Sequence, residues 1–278
     1  MRIRPNIYKS PDDMRRMLRP GLATAASLAA VREAIVPGVS TLELDAIAEA
    51  AIRALGGVPN FKKEPGYRHT ICASVNDDIV HGIPGGRVLA AGDIVSIDSG
   101  AEVGGWNGDA ALTVVLEDPA RPERNAQLSE LSDVTEQSLW CGIAALAAAS
   151  HLGEVGGAIE DYIASRGEYG ILEDYTGHGI GRSMHEDPPV FNYRIRDRGP
   201  RVRPGLVIAI EPMVTLGGIE TFVRQDGWTV ASSDGTPAAH WEHSIAVHDD
   251  GVWVLTAEDG GAAGLAPFGV TPVPLPAA

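Results

Sequence analysis

Cysteine, basic charge and long apolar runs are scarce in this sequence, and each shortage excludes a class of protein. Its two cysteines, Cys72 and Cys141, are too few for a disulfide framework. Only 22 Lys and Arg face 37 Asp and Glu, and a net charge of −15 disfavours a nucleic-acid site, because phosphate binding needs clustered cations. No segment approaches the roughly 18 uninterrupted apolar residues of a membrane span, and the first residues do not resemble a signal peptide. We therefore expect a cytoplasmic protein that contacts neither membrane nor nucleic acid.

The domain organisation follows from how the turn-forming residues are spread. Hydrophobic residues make up 44% of the 278, which suits one large α/β domain or two smaller ones. The 19 prolines and 33 glycines mark no linker, so we expect a single domain over residues 1–256. Residues 257–278 are rich in Gly, Ala and Pro without periodicity, which predicts an extended or mobile tail.

Two helices come first. Ser10 is placed as the N-cap of a helix that Pro11 begins and that ends near Pro37-Gly38. Ser40 and Glu43 form a capping-box pattern for a second helix, which Gly56-Gly57 stops. Strands are then expected at 70–75, 94–98 and 110–116, helices at about 125–148 and 153–165, and strands again at 206–214 and 241–247.

This order of elements repeats, and so do some residues. The helix with Glu43, Glu49 and Ile52 matches Glu154, Glu160 and Ile163 at a constant offset of 111. His-Gly-Ile occurs at 81–83 and 178–180, and the acid-tipped apolar run at 92–98 corresponds to 205–211. Matches in the same order indicate two related α/β halves with a site where they meet.

Four acids lie at apolar strands. Asp98 ends one run and Asp109 starts the next, so a hairpin would bring the two carboxylates together, where they need a cation or a shared proton. Glu211 ends a run typical of a buried parallel or barrel strand, and Glu242 adjoins another. Either Asp could instead cap a turn, and either Glu could form a buried salt bridge, but neither Glu strand contains Lys or Arg.

His178 adds an imidazole to this set. Four carboxylates and one nitrogen favour two divalent cations, and Mn, Fe, Co and Zn all accept such ligands. The stretch from His178 to His185 is no His-Glu-x-x-His zinc helix, because its glycines and its spacing indicate a loop. A lone histidine is also often structural, so the ligand assignment depends on its companions.

With these residues in place, the chain resembles the type I methionine aminopeptidases of the short bacterial kind. The motifs run in order over nearly the whole chain: Val80-His81-Gly-Ile-Pro84, Ile97-Asp98, Gly108-Asp109, Gly177-His178-Gly-Ile-Gly-Arg182, His185-Glu186, Ile210-Glu211-Pro212-Met213 and Glu242-His243-Ser244. The resemblance implies the pita-bread fold, an α/β (α+β) arrangement of two pseudo-symmetric halves around a curved antiparallel sheet with helices on its outer face.

The resemblance also implies a role for each site residue. It assigns two metal ions to Asp98, Asp109, His178, Glu211 and Glu242, with Asp109 and Glu242 bridging. Glu211 would shuttle the proton, while His81 and His185 would contact the substrate. A methionine pocket would be formed by Tyr67, Cys72, Met184 and Trp228, whose soft or aromatic surfaces suit sulfur. Family members often carry Phe at the place of Met184.

The expected activity is removal of the initiator methionine from new polypeptides when residue two is small. Its partners would be N-terminal peptides of nascent proteins at the ribosome, and the chain would act as a monomer. Two alternatives stay open. The proline-specific peptidases share the fold, although they carry an added amino-terminal domain, whereas Ser10 starts the catalytic part almost at once here. A catalytically silent binding module of the same fold is the other.

Overall fold

The computed structural model describes residues 6–276, which form two helix-and-sheet halves. The helices are α1 (Pro11–Ala34), α2 (Thr41–Ala54), α3 (Pro122–Leu146), α4 (Gly153–Arg166) and α5 (Ala262–Leu265). The strands are β1 (Val58–Pro59), β2 (Ile71–Val75), β3 (Asp78–Val80), β4 (Ile94–Val103), β5 (Trp106–Val115), β6 (Gly170–Ile171), β7 (Gly177–Gly179), β8 (Glu186–Val190), β9 (Val207–Ile210), β10 (Met213–Thr215), β11 (Thr221–Val223), β12 (Val230–Ser232), β13 (Ala238–His240), β14 (His243–His248) and β15 (Gly251–Val254). Within this part of the chain, no helix has the length and apolar character needed to cross a membrane.

The first two helices begin as their sequences predict. The Ser10 side chain accepts a hydrogen bond from the Asp13 amide at the start of α1. At α2, Ser40 and Glu43 form the reciprocal capping box, in which each side chain binds the other residue's backbone N–H. Gly56, with φ of +74°, follows the end of α2 in a conformation that favours glycine.

The predicted Asp98–Asp109 hairpin is confirmed. Strands β4 and β5 pair antiparallel along their full length of ten residues each, and β2 pairs with the other edge of β4. Helix α1 packs on this sheet so closely that a Cβ at Gly108 would lie 2.8 Å from the Pro20 carbonyl carbon. The hairpin is therefore held from one face by a helix, which leaves its other face for side chains of the second half.

The strand predicted over 206–214 is interrupted. Strand β9 ends at Ile210 and β10 begins at Met213, so Glu211 and Pro212 lie between them. Pro212 lacks the N–H that a continuous strand would use, which accounts for the break. The neighbours of β9 are β14 and β7, both antiparallel, so the expectation of a parallel strand before Glu211 is wrong.

The two halves share one large core and several backbone junctions, among them the pairing of β3 with β12 and the bridge from Ala111 to Glu242. Buried residues from both halves form a single large cluster that includes Leu44, Ile97, Ile143 and Ile208. Ala111 of β5 exchanges both backbone hydrogen bonds with Glu242, at 3.2 and 3.0 Å. Glu242 is thereby attached to the first half, although it precedes β14 of the second.

The segment after residue 256 differs from the extended tail that its composition predicts. Residues 262–265 form α5, Leu265 is fully buried, and Gly264 lies against the Trp140 ring. Farther on, the Val273 amide donates to the carbonyl of Val252 on β15. Residues 262–265 are therefore helical instead of extended, and their small side chains let the backbone approach Trp140 closely.

Candidate metal centre

A row of paired residues across the sheets forms the floor of the site. Cys72 pairs with Asp98, Asp98 pairs with Ala111, and Ala111 bridges to Glu242. Residues directly opposite one another in a sheet point to the same face, and so does Asp109, two positions before Ala111. Three carboxylates therefore converge over the small side chain of Ala111.

The second half brings the remaining two groups to this floor. Glu211 and Glu242 each lie one residue beyond the paired Ile210 and His243 of β9 and β14. His178, on β7, approaches from the side, with its Nε2 3.6 Å from Glu211 Oε1 and 3.9 Å from Asp109 Oδ2. The structure thus brings all five predicted metal ligands together.

The charges of this cluster are unbalanced. Asp109 and Glu242 are 3% and 2% exposed, and no Lys or Arg of residues 6–276 forms an ion pair with any of the four acids. Burial, followed by repulsion from neighbouring acids, raises the pKa of Asp109 and Glu242 well above the usual range. Burial also raises the pKa of Asp98 to about 7 and that of Glu211 to about 7. Within residues 6–276, these four acids therefore form no buried salt bridge with a Lys or Arg, which was the alternative to a metal.

These residues fit divalent cations. One oxygen of each of three acids is buried without a hydrogen-bond partner: Asp98 Oδ1, Asp109 Oδ1 and Glu242 Oε1. This is expected of oxygens that bind a cation. Ligand atoms lie within 4.8 Å of one another in three groups: Asp98, Asp109 and Glu242; His178, Glu211 and Glu242; and Asp109, His178 and His185. Asp109, His178 and Glu242 each belong to two of the groups, so the clusters overlap.

The His178 ring is oriented for ligation. Its Nδ1 lies 2.9 Å from the carbonyl oxygen of Gly179, so this nitrogen carries the proton and donates it. The lone pair is then on Nε2, which faces the carboxylates. Burial lowers the pKa of His178, which favours the neutral form that a metal ligand requires.

A cavity of about 140 Å³ has the four acids and His178 in its wall, together with apolar and aromatic side chains. All four residues predicted for the methionine pocket line it, and Tyr67, Cys72 and Met184 pack in one cluster with Phe61. The rings of Tyr67 and Trp228 meet edge to face at 5.1 Å, and the Tyr67 hydroxyl donates to the Ile71 carbonyl. The polar tip of Tyr67 is thereby satisfied within the wall, which leaves an apolar ring for the cavity.

The two predicted substrate-contacting histidines also line this cavity. His185 stacks edge to face on His178 with ring centroids 4.4 Å apart. His81 has φ of +60°, a left-handed conformation that costs a non-glycine residue about 1 kcal/mol and is concentrated at functional sites. Burial, with His240 and His185 nearby, lowers the pKa of His81 to about 4, so its ring is neutral at neutral pH.

Phe61, Glu64 and His240 belong to the site but are not singled out by the sequence. Phe61 joins the cavity wall from a short 3-10 turn, which carries no periodic signal. His240 lies beside Glu211, with its Nε2 3.6 Å from Glu211 Oε2. Its position two residues before Glu242, on the same side of an extended chain, could have identified it.

Comparison with known proteins agrees with this geometry. The model of metallopeptidase family M24 matches residues 15–249. Methionine aminopeptidase 1 of Mycobacterium tuberculosis is 46% identical over 254 residues, covering 89% of this chain and 94% of that protein. The crystal structure of methionine aminopeptidase from Thermotoga maritima aligns with a TM-score of 0.84 at 38% identity, covering 90% of this chain and 99% of that one.

A more distant structure shares the fold alone. Prolidase from Pyrococcus furiosus aligns with a TM-score of 0.70 at 20% identity, and the alignment covers 65% of its length. The predicted pita-bread fold is confirmed by these neighbours together with the mixed helices and antiparallel sheets. From the family match, the identity to curated relatives and the cluster of acids, this chain belongs to metallopeptidase family M24, among its methionine aminopeptidases.

Proposed function

We propose that this chain is a methionyl aminopeptidase that removes the initiator methionine from new proteins. The observation that carries the proposal is that five potential metal ligands share the wall of one cavity with apolar and aromatic side chains. A hydrolytic centre and a pocket for the first side chain are then adjacent, as release of one apolar N-terminal residue requires. The identity to methionine aminopeptidases is the second support.

Two cations would be held by Asp98, Asp109, His178, Glu211 and Glu242, with Asp109 and Glu242 shared. The ligand groups overlap at these two acids and at His178, but His178 has only Nε2 available, whereas each carboxylate has two oxygens that two ions can share. When bound there, such cations would supply Lewis-acid chemistry that activates a carbonyl and a water molecule. The ions would be Mn, Fe, Co or Zn, and metal analysis of protein from its own source would identify them.

Glu211 would act as the proton shuttle. Its carboxylate lines the cavity among the other ligands, where it can accept a proton from the attacking water and pass it to the leaving amine. His178 Nε2 and His240 Nε2 each lie 3.6 Å from one of its oxygens, which restrains the carboxylate between two rings. The neutral rings of His81 and His185 would contact the substrate carbonyl and the amide of residue two.

We also propose where and with what the chain acts. Its substrates would be the N-termini of nascent proteins, met at the ribosome in the cytoplasm, because that is where new chains carry their initiator methionine. It would act as a monomer, which agrees with a cavity lined by thirteen residues of one chain. Light scattering of the purified protein at two concentrations would test the monomer.

A single assay tests the activity against its alternatives. The purified chain should release methionine from Met-Ala-Ser, stop after exhaustive chelation and recover with added Mn²⁺ or Co²⁺. Full activity after chelation would contradict the metal mechanism. Faster cleavage of an Ala-Pro peptide would favour the proline-specific alternative, and the absence of any peptide cleavage would favour the silent binding module.

A further inference from the structure

His240 is a buried histidine that lies beside the metal ligands but is not one of the five. It ends β13, it is 1% exposed, and its Nε2 has no hydrogen-bond partner. A buried polar atom left in that state costs about 1–3 kcal/mol. Glu211 Oε2 lies 3.6 Å from this nitrogen, just beyond hydrogen-bonding distance.

The backbone of His240 is held firmly in place. Its amide donates to Ser96 Oγ at 3.2 Å and to Thr113 Oγ1 at 3.1 Å. Its carbonyl accepts from the Thr113 hydroxyl at 2.8 Å, and the two hydroxyl oxygens lie 2.9 Å apart. The first half of the chain therefore determines where this ring can lie, while Glu211 belongs to the second half.

Glu211 is flanked by two imidazoles that face different oxygens. His178 Nε2 lies beside Oε1 with its lone pair free, because the Nδ1 proton is donated to Gly179. His240 Nε2 lies beside Oε2. Two lone pairs directed at one carboxylate would repel it, whereas an N–H on His240 would attract Oε2 and leave Oε1 for a cation.

We propose that His240 is a positioning residue that donates its Nε2–H to Glu211 Oε2 and so directs Oε1 toward the cation site. A rotation of the carboxylate that closes the present gap satisfies both buried groups at once. The inference rests on the proposed role of Glu211 as ligand and shuttle. It differs from a role as an additional metal ligand, in which Nε2 would carry a lone pair instead of a proton.

Three substitutions separate these possibilities. The amide nitrogen of Gln lies as many bonds from Cα as Nε2 of His, whereas that of Asn corresponds to Nδ1. A hydrogen bond to a charged group contributes about 1.5–3 kcal/mol, which converts to roughly a 10-fold to 100-fold change in rate. His240→Leu and His240→Asn should lower kcat for Met-Ala-Ser by that factor with little change in KM, and His240→Gln should restore most of it.

Cation binding supplies a readout besides activity. In a calorimetric titration of the metal-free protein with Mn²⁺, His240→Gln should bind as the native chain does. If His240 were a ligand, Gln, Asn and Leu would all weaken binding, and the proposal would be wrong. Equal loss of kcat in the Gln and Asn variants would also overturn it. If His240→Leu does not fold, the Gln and Asn pair still decides.

The proton itself can be located without any substrate. Long-range ¹H–¹⁵N spectra of the histidine rings in the metal-free protein should give the Nε2–H tautomer for His240, assigned by its loss in His240→Gln. An Nδ1–H tautomer would overturn the proposal even if the enzyme releases methionine. Conversely, an Nε2–H tautomer in a chain that cleaves no peptide would leave the contact intact and refute the proposed function.

Discussion

The two halves of this molecule perform the same task with different degrees of regularity. In the first half, Asp98 and Asp109 belong to an unbroken antiparallel hairpin of two ten-residue strands. In the second, Glu211 and Glu242 lie just outside short strands, and His178 belongs to a strand of three residues. The first half places its acids within a continuous sheet, and the second half places its acids at the ends of short strands.

The difference shows how a repeated pattern acquires a site. A continuous strand directs side chains alternately to its two faces. Each strand of the hairpin can therefore supply a side chain to the site only at every second position. An interruption frees a side chain from that alternation, and Pro212 creates one directly after Glu211. The Ala111 backbone pairs with Glu242, so this strand end of the second half is attached to the β4–β5 hairpin of the first half.

The largest expected effect on the rate of methionine release comes from removing the charge of an acid of the second half. Glu211→Gln keeps the size of the side chain while it removes the charge and the proton shuttle, so release of methionine from Met-Ala-Ser should fall by about 10²–10⁴-fold. The fold should persist, as judged by an unchanged circular dichroism spectrum. Glu160→Gln, on the surface of α4, is the matched control and should act as the native chain does. Methionine release by Glu211→Gln at the native rate would remove Glu211 from the mechanism.

A second effect concerns the substrate rather than the chain. His81 and His185 line the cavity, and in the proposed function they contact the amide of residue two, so bulky side chains there should push the scissile carbonyl away. A displacement near 1 Å can cost about 100-fold in rate. Release from Met-Ala-Ser should therefore exceed release from Met-Leu-Ser by roughly that factor in kcat/KM. Equal values would refute the crowding argument and leave the metal site untouched.

Proton release should reveal that both halves contribute to one charge cluster. Burial raises the pKa of Asp98 and of Glu211 to about 7, so both bind protons at pH 6 in the metal-free protein, and a cation must displace them. Affinity for Mn²⁺ should therefore rise with pH between 5.5 and 7, by about tenfold per pH unit for each proton displaced. Calorimetry in two buffers of different ionisation enthalpy counts the protons. An affinity that stays constant between pH 5.5 and 7 would contradict this arrangement.

The smallest effect on activity is expected from the segment after residue 256. Leu265 is fully buried, so Leu265→Ala should lower the free energy of unfolding by about 2–5 kcal/mol, while the metal centre stays intact. Leu42→Ala removes a side chain that is 50% exposed and should change it by less than about 0.5 kcal/mol. Urea unfolding curves of both variants would test this. Equal stability of the two would mean that the segment does not dock in solution.

Local signals in the sequence predict a large share of this fold. The caps at Ser10 and Ser40 depend on neighbours within four residues, and so does the turn that joins the strand of Asp98 to the strand of Asp109. These contacts form wherever their residue types occur at that spacing, so reading them requires no tertiary structure.

The remainder depends on contacts between distant residues. Leu265 is buried beside Trp140, yet its neighbours are the Gly, Ala and Pro typical of a mobile segment. Phe61 comes into the cavity from a turn without periodicity. The five ligands were identified through their family spacing, since an acid at a strand end can equally cap a turn.

The convergence of both halves on one metal centre is tested most directly by anomalous diffraction from crystals grown with Mn²⁺. The account predicts two Mn²⁺ peaks near each other, within bonding distance of Asp98, Asp109, His178, Glu211 and Glu242, with Asp109 and Glu242 touching both. A single peak held by the hairpin acids alone, or no peak among these five side chains, would contradict it.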